Sequence, residues 1–195
     1  MPLTAAGFPT TTEAMERHRL YYRLTRLVLL ALLAAQAEGA YITSLHNTGM
    51  APPGLPDPWW DIIAGPAPLV APFDARVVQP GEAGFPWPFW MAGVSASNWI
   101  GPTPQYTLST RDPVGAYTYR TTFTLSASEL PGAEIRGRWL ADNRLLDIVL
   151  NMVHFGGRPP SEWSFQTWHS FVIGTGFVEG TNTLDFTVWN ADLGV

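Results

Sequence analysis

The sequence contains no cysteine and no lysine. Without cysteine the chain can form neither a disulfide nor a thiolate metal site, so an exported form of it would be held by packing alone. All 11 basic residues are therefore arginine, against 16 acidic residues. Residues 38–195 carry seven of these arginines and fourteen of the acids. An acidic domain of this kind argues against nucleic acid as a partner.

The short motifs of common enzyme classes are also absent. There is no P-loop, no GxGxxG, no HExxH and no nucleophile elbow. The sequence does not exclude a glycosidase-type pair of carboxylates facing each other across a sheet, because such a pair is defined by distance in space and not by a sequence motif. We therefore expect a protein that is not an enzyme, with no catalytic residue, no metal and no cofactor.

Two groups of possible metal ligands lack a supporting pattern. His154 and His169 could bind a metal if their strands lay side by side, but no third ligand accompanies them. Asp142, Asn143 and Asp147 offer oxygen ligands within six residues, but the alternation and the glycine of a calcium loop are missing. We expect hydrogen-bonded histidines and a turn closed by Asp142 and Asn143.

The main apolar run, LVLLALLAAQAEGA, spans 27–40 and follows four arginines. This flank and a small-x-small site predict a signal peptide cleaved near Ala37. Alternatively, 27–45 supplies 19 residues, close to the roughly 20 of a spanning helix, although Gln36 and Glu38 lie inside it. Our first interpretation is a single-pass anchor in the cell inner membrane, with the N-terminus cytoplasmic and the rest periplasmic. Secretion after cleavage is the alternative.

Proline is concentrated in one part of the chain, since 12 of its 18 prolines fall in 51–104. This density disfavours helix and most central strands and predicts an extended chain that wraps a surface. We assign 1–26 as an arm with a helix start, 27–45 as the hydrophobic membrane segment, 46–70 as a proline-rich linker and 71–195 as a β-sandwich domain. The candidates for partner contacts are the tryptophans Trp59, Trp60, Trp87 and Trp90.

From residue 116 onward the sequence has the pattern of short strands. YTYRTTFTL at 117–125 alternates, and similar runs follow at 134–142, 145–153, 168–174 and 182–191. Strands of this length, separated by turn signals such as PG, GG and EGTN, are typical of an antiparallel sandwich. We predict a mainly β fold, an antiparallel jelly-roll or β-sandwich, preceded by one N-terminal hydrophobic helix.

Several of these stretches carry a resemblance to a known family, namely SNWIGP (97–102), YTYRTTF (117–123), GRWLADN (137–143), GFVEG (176–180) and NTLDF (182–186). From about Pro56 to Asn190 the chain resembles galactose-binding-like jelly-roll modules, common in exported bacterial proteins with a C-terminal sorting tail. The resemblance implies a jelly-roll fold and says little about function. The chain departs from the family by ending in DLGV without such a tail, and by placing Met152 after Asn151 where the family turns through Asn-Gly.

A sugar site in this fold class would pair an exposed aromatic ring with arginine and an amide or acid. The candidates are Arg138, Asn143, Trp163 and Trp168, whereas the alternating pattern places Trp139 in the core.

The overall plan resembles the extra scaffold subunits of bacterial reaction-centre–light-harvesting complexes. We therefore predict a non-catalytic, membrane-anchored accessory or scaffold subunit that docks on the periplasmic face of a larger membrane complex. Its partners would be membrane protein subunits and the membrane, with no nucleic acid. The alternative is a secreted lectin-like carbohydrate-binding module.

Overall fold

The computed structural model describes residues 42–81, 84, 86–104, 112–157 and 164–191. The chain divides into two units, 1–38 and 39–195, and the described residues all belong to the second. The predicted arm and the predicted hydrophobic helix as far as residue 41 lie outside them. In the part of the chain that is described, no helix is long and apolar enough to cross a membrane.

The second unit is mainly β, as the sequence predicts. Apolar side chains at alternate positions place one face of each long strand in a core, as in β4, where Tyr117, Phe123 and Leu125 are buried. The strands of the described residues are β1 (Pro56–Ala64), β2 (Phe73–Val77), β3 (Ile100–Gly101), β4 (Gly115–Leu125), β5 (Ile135–Trp139), β6 (Arg144–Leu150), β7 (Val153–His154), β8 (His169–Ile173) and β9 (Gly180–Asn190).

These strands form two antiparallel sheets. The larger sheet has the order β3-β2-β1-β4-β9-β6-β7, and the smaller one consists of β5 and β8. The centre of the larger sheet is the pair β4–β9, which is in continuous register from Gly115 opposite Asn190 to Leu125 opposite Gly180. Two antiparallel sheets sharing a core confirm the prediction of a mainly β, sandwich-like fold.

The main core cluster is built from residues of both sheets. Burying a large apolar side chain contributes roughly 1.5–3 kcal/mol, so this cluster is the principal source of stability. Trp139 is among its buried members, as its place in an alternating strand predicts. The cluster includes Phe123, Leu125, Ile135, Trp139, Leu145, Ile148, Leu150, Ile173 and Leu184.

The range 46–70, predicted to be a linker, contains β1. Pro56 and Pro58 lie at the start of this strand, where its register with β2 is irregular, and the run 59–64 that follows has no proline. Within that run Trp60 and Ile62 are buried in a second core cluster. Proline therefore marks where β1 begins instead of preventing a strand, and the structure places this range within the β-domain.

The end of the predicted membrane segment also belongs to the β-domain. Ile42 is buried in the main core cluster, and Leu45 packs against that cluster. The hydroxyl of Ser44 accepts a hydrogen bond from the backbone N–H of Thr124 at 2.9 Å and donates to its carbonyl at 3.2 Å. β1 pairs with β4 only from Thr118 to Arg120. The side chain of Ser44 therefore bonds to the backbone of β4 beyond the end of that pairing.

Candidate functional site

Two of the tryptophans predicted to contact a partner are neighbours in β1 with opposite environments. The side chain of Trp59 is 44% exposed, and its ring stacks on the ring of His46 with centroids 3.9 Å apart and planes at 15°. Trp60 is only 6% exposed, and its indole N–H donates to the His46 carbonyl at 3.2 Å. His46 therefore holds both indoles, and Trp59 alone of the two is available at the surface.

The carboxylate of Asp57 organises the backbone around Trp59. This buried side chain accepts the N–H of Gly49 at 2.6 Å on one oxygen and the N–H of Trp59 at 2.9 Å on the other. Met50 and Leu55, which are close in sequence to the residues that Asp57 joins, are both exposed. We call the exposed residues of this region, Met50, Leu55 and Trp59, together with the half-buried His46, the Trp59 patch.

The third and fourth predicted partner residues lie in the loop that precedes β3. The indole N–H of Trp90 donates to the carboxylate of Asp142 at 3.1 Å, and its ring lies 4.5 Å from that of Trp99. Trp87 is half-buried. Burial raises the pKa of Asp142 to about 6, and the hydrogen bond from Trp90 opposes this shift. Trp90 thus tethers its loop to the turn that follows β5.

Two of the four predicted glycan-site residues come together on the smaller sheet. The guanidinium of Arg138 lies over the ring of Trp168, 4.9 Å from its centroid, which is the geometry of a cation–π contact. Arg138 is exposed and faces Ser170 across the strand pair. Arg136 likewise faces Val172, whose side chain is 54% exposed. We call the outer surface formed by Arg136, Arg138, Trp168, Ser170 and Val172 the Arg138 face.

The other two predicted glycan residues are not part of this arrangement. Asn143 is buried, its backbone N–H donates to the carbonyl of Trp189 at 2.9 Å, and its side-chain oxygen accepts the N–H of Ala191 at 2.6 Å. These bonds tie the start of β6 to the end of β9, so the side chain is not available to a ligand. Trp163 lies outside the described residues.

The histidines and acids considered as metal ligands have separate partners. His154 pairs with Asp147 at 2.6 Å, and the other oxygen of Asp147 accepts the N–H of Gly156 at 2.9 Å. His169 stacks on the buried Trp139, with centroids 4.4 Å apart. Across the described ranges no group of three His, Asp or Glu side chains could hold a metal ion.

One feature of the structure has no signal in the sequence. A cavity of about 340 Å³ lies between the two sheets, beside β8, and both polar and apolar atoms line it. Its lining residues are spaced like ordinary core positions, so periodicity alone could not separate a filled core from an open one.

A scan against protein-family models and searches of curated proteins and of solved structures found no match for this chain. Its function therefore has to be inferred from the surfaces described above. Those surfaces are the Trp59 patch, the Arg138 face and the cavity beside β8.

Proposed function

We propose that this chain is a non-catalytic accessory subunit, built on a galactose-binding-like jelly roll, that docks on the periplasmic face of a larger membrane complex. The observation that carries the proposal is the join between the hydrophobic run and the β-domain. Because Ile42 and Ser44 belong to the β-domain, no more than a few residues could separate it from a retained anchor that ends near Ala40. A connection this short would keep the domain near the membrane surface and its resident proteins.

This join also limits the length of the anchor. With Ile42 in the core, the run from Leu27 to Tyr41 provides 15 residues, or about 22 Å of helix against roughly 30 Å of hydrocarbon. A spanning helix must therefore begin before Leu27. Arg23 and Arg26 would then lie near its cytoplasmic end, where long arginine side chains reach the headgroups.

The Trp59 patch supports docking to protein. Tryptophan and methionine are enriched in the cores of protein interfaces, and tryptophan is enriched among the residues that dominate binding energy. The hydrogen bonds of Asp57 to Gly49 and Trp59 hold the backbone of the patch in place, which lowers the entropic penalty of binding. The overall plan of the sequence suggests a photosynthetic reaction-centre–light-harvesting complex as the partner.

The test is the isolation of the chain from detergent-solubilised native membranes, under conditions that preserve complexes, followed by intact mass. We expect the full chain in a large assembly. Trp59→Ala should reduce recovery of that assembly at least tenfold, and Val114→Ala, at another exposed apolar position, should leave it unchanged. Recovery of a free, soluble chain that begins at Glu38 would contradict the proposal.

The Arg138 face favours a second candidate function, a lectin-like carbohydrate-binding module. A guanidinium over a half-buried aromatic ring offers a sugar hydrogen-bond donors next to an apolar surface. On a glycan array we expect Trp168→Ala to abolish retention of the chain and Trp59→Ala to leave retention intact. If no glycan retains the parent chain, this candidate fails, whereas the first proposal is untouched.

A further inference from the structure

The cavity beside β8 opens the core on one side of the sandwich. Its volume of about 340 Å³ is at the lower end of the range of ligand pockets, and it suits a few apolar side chains. We call it the β8 slot. Its walls come from β5, β6, β8 and the residues that follow β7, and include Trp139, Leu145, Ile148, Phe155, Phe171 and Ile173.

The strand along this slot has one unpaired edge. β8 pairs with β5, in continuous register from Trp139 opposite His169 to Ile135 opposite Ile173, and within the described ranges no strand pairs with its other side. Its sequence, HSFVI, contains no acid, arginine or proline. Bulges, prolines and charges are the devices that normally protect an edge from pairing with another chain. The edge of β8 is therefore suited to accept a further strand.

The outer surface next to this edge carries two arginines, one of them neutralised by an ion pair, on an otherwise acidic domain. Arg138 and Arg136 are the cross-strand neighbours of Ser170 and Val172, and Arg136 is partnered by Glu134. A strand added beside β8 would lie about 4.8 Å from β8 and roughly 10 Å from β5. At that separation a carboxylate side chain and an extended arginine can meet.

We infer that the β8 slot binds an extended acidic segment of a partner protein as a third strand of the smaller sheet. Alternate side chains of a strand point to opposite faces. One set, apolar, enters the slot against Phe171 and Ile173, and the other set, acidic, lies on the outer surface beside Arg138. The main chain of the segment pairs with β8, which is the mode of recognition known as β-augmentation. This surface is separate from the Trp59 patch, so the inference stands apart from the first proposal, although it shares Arg138 with the glycan site of the second candidate.

The test uses the detergent-solubilised full chain and a seven-residue peptide in which valine alternates with aspartate, blocked at both ends. Two matched probes accompany it: the same peptide with lysine in place of each aspartate, and the same peptide with N-methylated valines. Calorimetry measures affinity, and amide NMR locates the site. We expect the aspartate peptide to shift the β8 amides and to bind at least tenfold more tightly than either matched probe.

Two variants connect the binding to the slot. Val172→Asp places a like charge beside the acidic side chains of the peptide, at a position exposed enough to leave the fold intact, and should weaken binding about tenfold. Val114→Asp adds the same charge at an exposed residue that does not line the slot and should leave the affinity unchanged.

Three outcomes would overturn the inference. The first is that the aspartate peptide does not bind, or binds no better than its N-methylated form. The second is that the amide shifts fall outside β8. The third is that the chain without peptide forms dimers that Val172→Asp dissociates, in which case the slot belongs to a second copy of this chain.

Discussion

At the scale of single residues, the turn between β6 and β7 has Met152 at a position with positive φ, where glycine is usual. Asn151 and Met152 both have positive φ, 49° and 68°, as the tight turn of a two-residue hairpin requires. Asn151 tolerates this conformation, and its side chain bonds to Asn182, Gly176 and the N–H of Thr183. Met152 is 88% exposed. The sequence departure from Asn-Gly therefore leaves the backbone of the turn in place, with strain at Met152.

We expect Met152→Gly to stabilise the protein. Left-handed backbone is unfavourable by roughly 1–2 kcal/mol for a residue with a Cβ, and the greater freedom of glycine in the unfolded chain offsets about 0.4–1 kcal/mol of the gain. Urea denaturation should show a free energy of unfolding higher by up to about 1 kcal/mol. Met152→Ala, which keeps a Cβ, should show no gain. A loss of stability in the glycine variant would mean that the Met152 side chain makes a stabilising contact.

Asp142 makes the stability of the protein depend on pH. Burial raises its pKa to about 6, so the folded chain binds this proton more tightly than the unfolded chain does. The contribution to stability is therefore complete below about pH 4 and is lost as the pH rises through about 6. A shift of this size corresponds to a change on the order of 2–3 kcal/mol.

The variant Asp142→Asn should remove this dependence, since its side-chain oxygen can still accept the hydrogen bond of Trp90. Urea denaturation at pH 8 should show the variant more stable than the parent by on the order of 2 kcal/mol. At pH 4 the two should be equal. An equal difference at both pH values would assign the effect to packing instead of to ionisation.

At the scale of elements, the residues before β1 act as part of the larger sheet. Ser44 bonds to the edge of β4, and further along Thr48 and Gly49 bond to the backbone and side chain of Asn98. Asp57 in turn accepts the N–H of Gly49. These contacts attach the segment 44–49 to the larger sheet at both of its ends. The segment therefore behaves as an irregular extra strand and not as a tether.

If the residues before β1 are part of the β-domain, Ile42→Ala should lower the free energy of unfolding. Removal of a buried isoleucine side chain lowers the free energy of unfolding by about 2–4 kcal/mol, and Ile42 is in the main core cluster. The adjacent, exposed Thr43 provides the control, because Thr43→Ala should change stability by no more than about 0.5 kcal/mol. Equal, small effects in urea denaturation would place Ile42 outside the core.

At the scale of the whole molecule, the same contacts define where the β-domain begins. A chain that starts at Glu38 keeps Ile42, Ser44 and Leu45, so we expect it to fold and melt within a few degrees of the full chain. A chain that starts at Met50 loses all three, and its melting temperature should fall by roughly 10 °C, the equivalent of about 4 kcal/mol. If the shorter chain melts at the same temperature, the domain begins later than the structure indicates.

The β-rich architecture can be predicted from the amino-acid sequence alone. The alternation in β4 and the apolar positions of β6 and β9 predict strands with one buried face, and Trp139 is buried as its place in such a pattern requires. Period-two patterning is a local property, so these strands could be identified without knowing their neighbours. The linker was predicted from a different property, the density of prolines in 51–104, which obscured the proline-free run at 59–64 that forms most of β1.

Which residues are available for binding depends on contacts that form when the chain folds. The side-chain oxygen of Asn143 accepts a hydrogen bond from the N–H of Ala191, 48 residues away in the chain. The indole N–H of Trp90 donates to the carboxylate of Asp142, 52 residues away. The pairing of Arg138 with Trp168 and the opening beside β8 depend equally on contacts between distant strands. Such hydrogen bonds and cavities form between segments that are distant in the chain and meet only on folding. The composition of a single segment therefore cannot predict them.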